Sequence, residues 1–213
     1  MYVRDFMSKD VVTISPDKSV SDAFALMKEN RVRRLPVVEG GALIGIVAYS
    51  DLLRASPSEA TSLSIWEINY VLSKLKIRDI MKQNVITIGP DEPVEKAALL
   101  MQKNDIGAIP VVENGSVVGI ITESDIFDAF IDVMGMGSKG SRITVAIPDK
   151  PGELLLVLQV IYEEGLNVRS LATFHAHGER PGEVVIRVDT EHPEDLVQKL
   201  KEKGISVVHY EVF

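Results

Sequence analysis

Cysteine is absent from the 213 residues. That excludes disulfides, thiolate metal sites and a cysteine nucleophile, and it favours a cytoplasmic location. No apolar run is long enough to span a bilayer, and Met1-Tyr2-Val3-Arg4-Asp5 holds no apolar signal-peptide core. A membrane is therefore not an expected partner. Positive charge is in deficit: 23 Lys and Arg against 31 Asp and Glu leave a formal net charge of −8. A nucleic acid normally needs the opposite sign, so no nucleic-acid partner is expected. A small anionic ligand is not excluded, because it senses only the local field. Also missing are a nucleophile–base pair, a phosphate-loop motif and a metal cluster. His175 and His177 share one face of an expected strand, but spacing offers them no further ligands, so no metal site is expected.

What is present is a duplication. Val3-Arg4-Asp5-Phe6-Met7 returns as Ile77-Arg78-Asp79-Ile80-Met81, and Val12-Thr13-Ile14 as Ile86-Thr87-Ile88. Leu35-Pro36-Val37-Val38 returns as Ile109-Pro110-Val111-Val112, and Ser50-Asp51 as Ser124-Asp125. The offset is 74 residues throughout, without gaps, which composition alone does not produce.

Each copy reads alike. A β segment at Val11 to Ile14 precedes a turn at Pro16-Asp17. Ser19 is an N-cap with Asp22 three residues on, and Val20, Ala23, Phe24 and Met27 share one helix face. Strands around Leu35 to Val38 and Leu43 to Val47 are joined by Gly40-Gly41, as their counterparts are by Asn114-Gly115, both suited to a tight hairpin. A short helix starts near Ser50-Asp51. Neither copy covers its own apolar surface, so the two are expected face to face about a pseudo-twofold axis. The joining segment from Ser62 to Leu75 reads as a helix, with Trp66 as a packing anchor.

After Ile131 the pattern changes. Residues 134–141 are glycine-rich and are expected to form a flexible linker. Beyond them the order is βαββαβ, with helices at Glu153 to Glu164 and Pro193 to Lys203 closed by Gly165 and Gly204. That order is ferredoxin-like. The expected fold class is α/β (α+β): a pseudo-twofold pair followed by a ferredoxin-like domain. The expected divisions are 1–55, a linker helix at 56–76, 77–133, the linker at 134–141, and 142–213.

The first part resembles the CBS-domain family. The apolar-Pro-apolar-apolar strand occurs in both copies, and the family's ending is complete in Gly119-Ile120-Ile121-Thr122-Glu123-Ser124-Asp125-Ile126. The first copy departs from it at Ala48, where the family carries a hydroxyl. The C-terminal part resembles ACT domains through Asp149-Lys150-Pro151-Gly152-Glu153-Leu154 and Gly165-Leu166-Asn167-Val168. The order of the parts, with Ser64-Ile65-Trp66-Glu67-Ile68-Asn69-Tyr70 between the copies, is similar to the AcuB group of acetoin utilisation proteins.

The resemblance implies a non-enzymatic regulatory sensor of an adenine nucleotide or another adenosyl compound: AMP, ADP, ATP or S-adenosylmethionine. Asp125 and Asp51 occupy the family's ribose-contact position, where one carboxylate accepts from both ribose hydroxyls; equally, both could simply cap the helices that follow. Thr122 adds a hydroxyl. Thr87 and Ile88, with Ile109 and Pro110, would flank adenine in the Asp125 site, as Thr13 and Ile14 would in the first copy. Arg31, Arg33 and Arg34 are a basic cluster in an acidic chain; Arg33 or Arg34 would reach the phosphate held by the Asp125 site, or the cluster is an ordinary solvated strand edge. The Asp51 site lacks the hydroxyl and faces Gly107-Ala108, which carry no charge. In the ACT-like part, Pro151, Gly152 and Glu153 open a helix whose free N–H groups can hold an amino-acid carboxylate, with Asn167 nearby; a plain loop is the alternative. A homodimer and an unidentified regulated protein are the expected partners. The competing readings are an enzyme of acetoin or nucleotide metabolism and a ligand-free scaffold.

Overall fold

The computed structural model describes residues 1–57, 62–174 and 182–213. They form two compact units, Met1–Phe127 and Asp128–Phe213.

The first unit contains both copies. Helix α1 (Val3–Phe6) leads to α2 (Val20–Glu29), the hairpin β1 (Arg34–Glu39) and β2 (Ala42–Ala48), and α3 (Tyr49–Ala55). After α4 (Ile65–Lys74), a 3-10 turn (Ile77–Asp79) stands where α1 stood, followed by α5 (Val94–Asn104), β3 (Ala108–Glu113), β4 (Ser116–Thr122) and α6 (Glu123–Val133). Helix α2 starts where Ser19 accepts from the Asp22 N–H at 3.0 Å and the Asp22 carboxylate accepts from the Ser19 N–H at 2.9 Å. It buries Val20, Ala23 and Met27, and α5 buries their counterparts Val94, Ala97 and Met101. The hairpins turn on Gly40-Gly41 and Asn114-Gly115, all four at positive φ, which matches the twist of the strands.

The β segment expected at Val11 to Ile14 is not a strand. Only Ile14 pairs, in a parallel bridge with Val37, donating to the Pro36 carbonyl and accepting from the Val38 N–H. Pro16, two residues on, has no N–H to extend a ladder. Ile88 repeats the arrangement on Val111.

The copies exchange their leading segments. Val3 donates to the Glu92 carbonyl and Ile77 to the Lys18 carbonyl, each at 2.9 Å, and both side chains are fully buried. Met7 lies against Gly119 and Met81 against Gly45; a Cβ on Gly45 would stand 2.6 Å from the Met81 sulfur. The glycine before each β2-type apolar pair is therefore required by a methionine of the other copy.

Helix α4 begins at a Ser64–Glu67 capping box and buries none of its residues. Trp66 is 81% exposed, which corrects its expected role as an anchor; Leu72 and Leu75 instead touch the core of the first copy. The anchoring is done by Leu72 and Leu75, and among the described residues Trp66 stays largely uncovered.

In the second unit, β5 (Ser141–Ile147), α7 (Glu153–Glu163), β6 (Val168–Phe174), β7 (Gly182–Val188), α8 (Glu194–Glu202) and β8 (Ser206–Val212) follow in order. The sheet runs β6-β7-β5-β8, every pair antiparallel, which is the ferredoxin-like order. Val157, Val160 and Ile161 of α7 and Leu196, Val197 and Leu200 of α8 pack on Ile143, Val145 and Ile186 of the sheet. Gly165 and Gly204 close their helices at φ 68° and 80°. In the segment before β5, the Met134 carbonyl accepts from Ser170 Oγ at 2.9 Å, and Gly140 and Phe213 exchange backbone hydrogen bonds.

Candidate functional site

The exchange of leading segments leaves two clefts at equivalent places between the copies. The larger, about 610 Å³, is lined by Ser8, Asp10, Val11 and Val12, by Arg31 to Arg34, and by Ile120 with Thr122 to Ser124. The smaller, about 210 Å³, is lined mostly by counterparts 74 residues away: Lys82, Asn84, Val85 and Ile86, Asp105 to Ala108, and Ile46, Ala48 and Ser50; it also takes in Asp51, whose counterpart Asp125 does not line the larger. Small-molecule sites commonly measure about 300–1,000 Å³, a range that only the larger cleft reaches.

Each cleft ends at the first turn of a helix that starts directly where a strand stops. Beside the larger cleft, which Thr122 lines, the half-buried Asp125 carboxylate folds back on Thr122: its Oδ2 accepts from the Thr122 N–H and hydroxyl, both at 2.7 Å. In the smaller cleft Asp51 Oδ2 accepts from the Ala48 N–H at 2.9 Å. Both aspartates thus cap their helices, and capping uses one oxygen of each. The other oxygen distinguishes them. Asp51 Oδ1 is taken by Arg54 at 2.7 Å, with Lys82 at 3.9 Å. Asp125 Oδ1 has no hydrogen bond or ion pair among the described residues, and it keeps its capacity to accept.

Charge distinguishes the clefts too. The larger gathers Arg31, Arg33 and Arg34 against Asp10 and Glu123. The smaller holds Lys82 and Arg34 against Asp51 and Asp105. Gly107-Ala108 bring no charge, as expected, while Lys82 and Arg34 bring two cations to that cleft. Arg34 lines both clefts because Gly107, opposite it, has no side chain: a Cβ there would stand 2.8 Å from Arg34 Nη2.

The structure therefore brings Thr122, Arg33 and Arg34 to one cleft, with Asp125 hydrogen-bonded to Thr122 but not itself among the lining residues. It does not join Thr87, Ile88, Ile109 and Pro110 to them. Thr13 and Thr87 are exposed, Ile14, Ile88 and Ile109 belong to the core, and Pro110 lines the Asp51 cleft. The bridges of Ile14 and Ile88 turn those side chains inward, so Val11 and Val12, or Val85 and Ile86, form the apolar walls instead. Val11, Val12 and Asp10 were not singled out from sequence as lining residues, whereas Arg31 belongs to the basic cluster with Arg33 and Arg34. The placing of Arg33 and Arg34 opposite Asp125 carried the signal, because it commits that cleft to walls from the first copy.

In the second unit, Pro151, Gly152 and Glu153 stand at the start of α7, whereas Asn167 follows its end. Eleven residues of helix separate them by about 16 Å, so one chain does not bring them together. The Asn167 N–H donates to Asp189 at 2.8 Å. A cleft of about 150 Å³ lies beside Asp149, Lys150 and Leu154, too small for most ligands. His175 and His177 lie outside the described residues. Among the described residues no group of His, Asp and Glu could hold a metal ion, and no helix is long and apolar enough to cross a membrane.

Comparison with known proteins agrees with this architecture. The family model of the CBS domain matches residues 3–58 and 77–132, and that of the TTHA0829-like ACT domain matches residues 139–211. The protein MJ1225 of Methanocaldococcus jannaschii is 35% identical over 136 residues, 60% of this chain; the match spans 46% of that relative. The crystal structure of the CBS domain pair of MJ0100, in complex with 5′-methylthioadenosine and S-adenosyl-L-methionine, is similar at a TM-score of 0.52 and 32% identity, covering 65% of this chain and 98% of that one. A structure from Vibrio cholerae named for acetoin utilization (AcuB) has a TM-score of 0.53 and 29% identity, covering 64% and 95%.

Proposed function

The chain belongs to the CBS-domain family and carries an ACT domain behind its CBS pair, and from that premise we propose that it is a non-enzymatic regulatory sensor of an adenosyl ligand, held in the Thr122 cleft. One observation carries the reading: a hydroxyl and three arginines line a cleft of ligand size, and a carboxylate with an oxygen to spare is hydrogen-bonded to that hydroxyl. Asp125 Oδ1 accepts from the ribose hydroxyls. Val11 and Val12 lie against the base. Arg33 and Arg34 meet the phosphate through their forked donors. The complex of the MJ0100 pair with two adenosyl compounds supports the ligand class.

The Asp51 cleft is the weaker site, since Arg54 already occupies its carboxylate and its volume is a third of the other's. Ligand in the Thr122 cleft would favour one arrangement of a cytoplasmic homodimer and so signal to a regulated protein, with the ACT domain as a second ligand input or a dimer contact. Such coupling requires the ligand to bind the two arrangements unequally.

Titration calorimetry with AMP, ADP, ATP and S-adenosylmethionine tests this. One tight event is expected, removed by Asp125→Ala and largely retained in Asp51→Ala, with circular dichroism to verify folding. The opposite pattern would move the site to the other cleft. No heat and no thermal shift at millimolar ligand would leave the pair a scaffold.

A further inference from the structure

Five polar or charged side chains are buried among the described residues: Ser19, Asp51, Ser141, Thr144 and Arg187. Buried polar groups are ordinarily hydrogen-bonded, and four of these are. Ser19 bonds Asp22, and Asp51 accepts from the Ala48 N–H and from Arg54. Ser141 Oγ donates to the Thr190 carbonyl, and Thr144 Oγ1 accepts from Arg142. Arg187 is the only cation of the five. It is 7% exposed and makes no hydrogen bond or ion pair among the described residues.

Its surroundings bury the side chain and leave the charge unanswered. Arg187 lies on the face of β7 opposite the core residues Ile186 and Val188. Gly135, in the segment before β5, lies over its stem, and Phe213 stacks on the guanidinium, its ring centroid 4.3 Å from Cζ. Stacking covers a face of the guanidinium, whereas the N–H donors point outward in its plane and stay free. Arg142 of β5 stands directly across from Arg187, so the neighbouring strand brings a like charge.

The free donors reach the surface, because every fully enclosed side-chain nitrogen among the described residues has a partner. They open on a shallow notch lined by Gly135, Ser138, Lys139, Gly140, Ser141 and Arg169. Gly140 lets the segment close on β7: a Cβ there would collide with the Val188 carbonyl. No carboxylate lines the notch. Glu191 lies 3.7 Å from Lys139, and Asp189 accepts from the Asn167 N–H. A guanidinium buried without an acceptor is costly, and an anion from outside relieves that cost.

We propose that this notch is an anion site of the ACT domain for a single phosphoryl group, either free phosphate or the end of a small phosphate ester. The site is separate from the Thr122 cleft and does not depend on the adenosyl-sensing reading. Arg187 offers donors from the floor of the sheet, Arg169 from β6, and Lys139 from the segment above. A tetrahedral oxyanion has oxygens for all three, whereas one guanidinium fork satisfies a carboxylate. The notch encloses no volume of its own, so the group rests at its mouth and only a compact one fits. It stands at the start of β5, while Pro151 and Gly152 follow the other end of that strand. A bound anion ties residues 135–140 to the sheet.

Nuclear magnetic resonance on the full chain at constant ionic strength tests this. Inorganic phosphate should shift the Ser138, Lys139 and Gly140 amides saturably and slow hydrogen exchange at Gly140. Arg169→Gln, at an exposed position, and Arg187→Gln, which removes the buried charge, should each weaken that binding at least about tenfold, with circular dichroism verifying the fold. A matching response to methyl phosphate identifies a terminal phosphoryl group as the ligand; a response to phosphate alone identifies the free ion. No saturable shift at millimolar phosphate would overturn the site, as would shifts that survive Arg169→Gln undiminished. An equal response to acetate would overturn the phosphoryl assignment. Shifts confined to amides of the Thr122 cleft would put the phosphate there and overturn this site while leaving the adenosyl-sensing reading intact.

Discussion

Arg33 and Arg34 are neighbours with different reach. Arg33 lines the larger cleft but not the smaller, while Arg34 lines both. A hydrogen bond to a charged group contributes about 1.5–3 kcal/mol, or roughly ten- to a hundredfold in affinity. Arg33→Ala should therefore weaken nucleotide binding at one site by that factor, and Arg34→Ala should weaken it at both. Two-site calorimetric fits of the two variants read the difference directly. Arg31 offers a separation of binding from stability. Its left-handed backbone costs about 1–2 kcal/mol, and glycine returns about 0.4–1 kcal/mol of that as added freedom in the unfolded chain. Arg31→Gly should raise the melting temperature by a few degrees while weakening a phosphate-bearing ligand of the larger cleft. Scanning calorimetry without ligand and titration with it would show the two effects moving in opposite directions.

The equivalent helices α2 and α5 start by different means. Ser19 and Asp22 cap α2 reciprocally, whereas Pro93 precedes α5 without a side-chain cap. Hydrogen bonds from the Ser19 N–H and hydroxyl hold the Asp22 carboxyl below the usual carboxylate range. A carboxyl lowered in the folded state stabilises it fully above the unfolded value of about 4 and loses that contribution as pH falls through the lowered value. Asp22→Asn should thus lower the urea midpoint at pH 7 and narrow the gap between wild type and variant at pH 3. Ser19→Ala should cost about 1 kcal/mol. At α5, where no carboxyl takes part in the cap, Pro93→Ala should leave the pH dependence of stability unaltered.

In the CBS unit the exchange of leading segments makes the two copies a single cooperative structure. Val3 and Ile77 are fully buried, each with its backbone bonded to the opposite copy. Removing two buried methyl groups costs about 2 kcal/mol with the cavity included. Val3→Ala, although it lies in the first copy, should lower the unfolding midpoint of the CBS unit without splitting its transition. Separate transitions for the two copies would show that they fold independently.

The duplication, the hairpin turns, the α2 cap and the βαββαβ order were legible in the sequence, because each is local: a fixed offset, a glycine pair, a serine three residues before an aspartate, a pattern of apolar spacing. The gathering of Arg33 and Arg34 in one cleft with Thr122 was legible only as what the family resemblance implied. Four matters were decided only by tertiary structure. A single bridge, rather than a strand, turned Ile14 and Ile88 into the core and made Val11 and Val12 the wall. Packing on α2 left Trp66 outside the unit's core. The length of α7 separated Asn167 from Pro151, Gly152 and Glu153. The absence of a side chain at Gly107 let one guanidinium serve two clefts. In each case the outcome depends on where a segment distant in sequence comes to lie, and residue spacing carries that information only when a repeat or a motif encodes the partner as well.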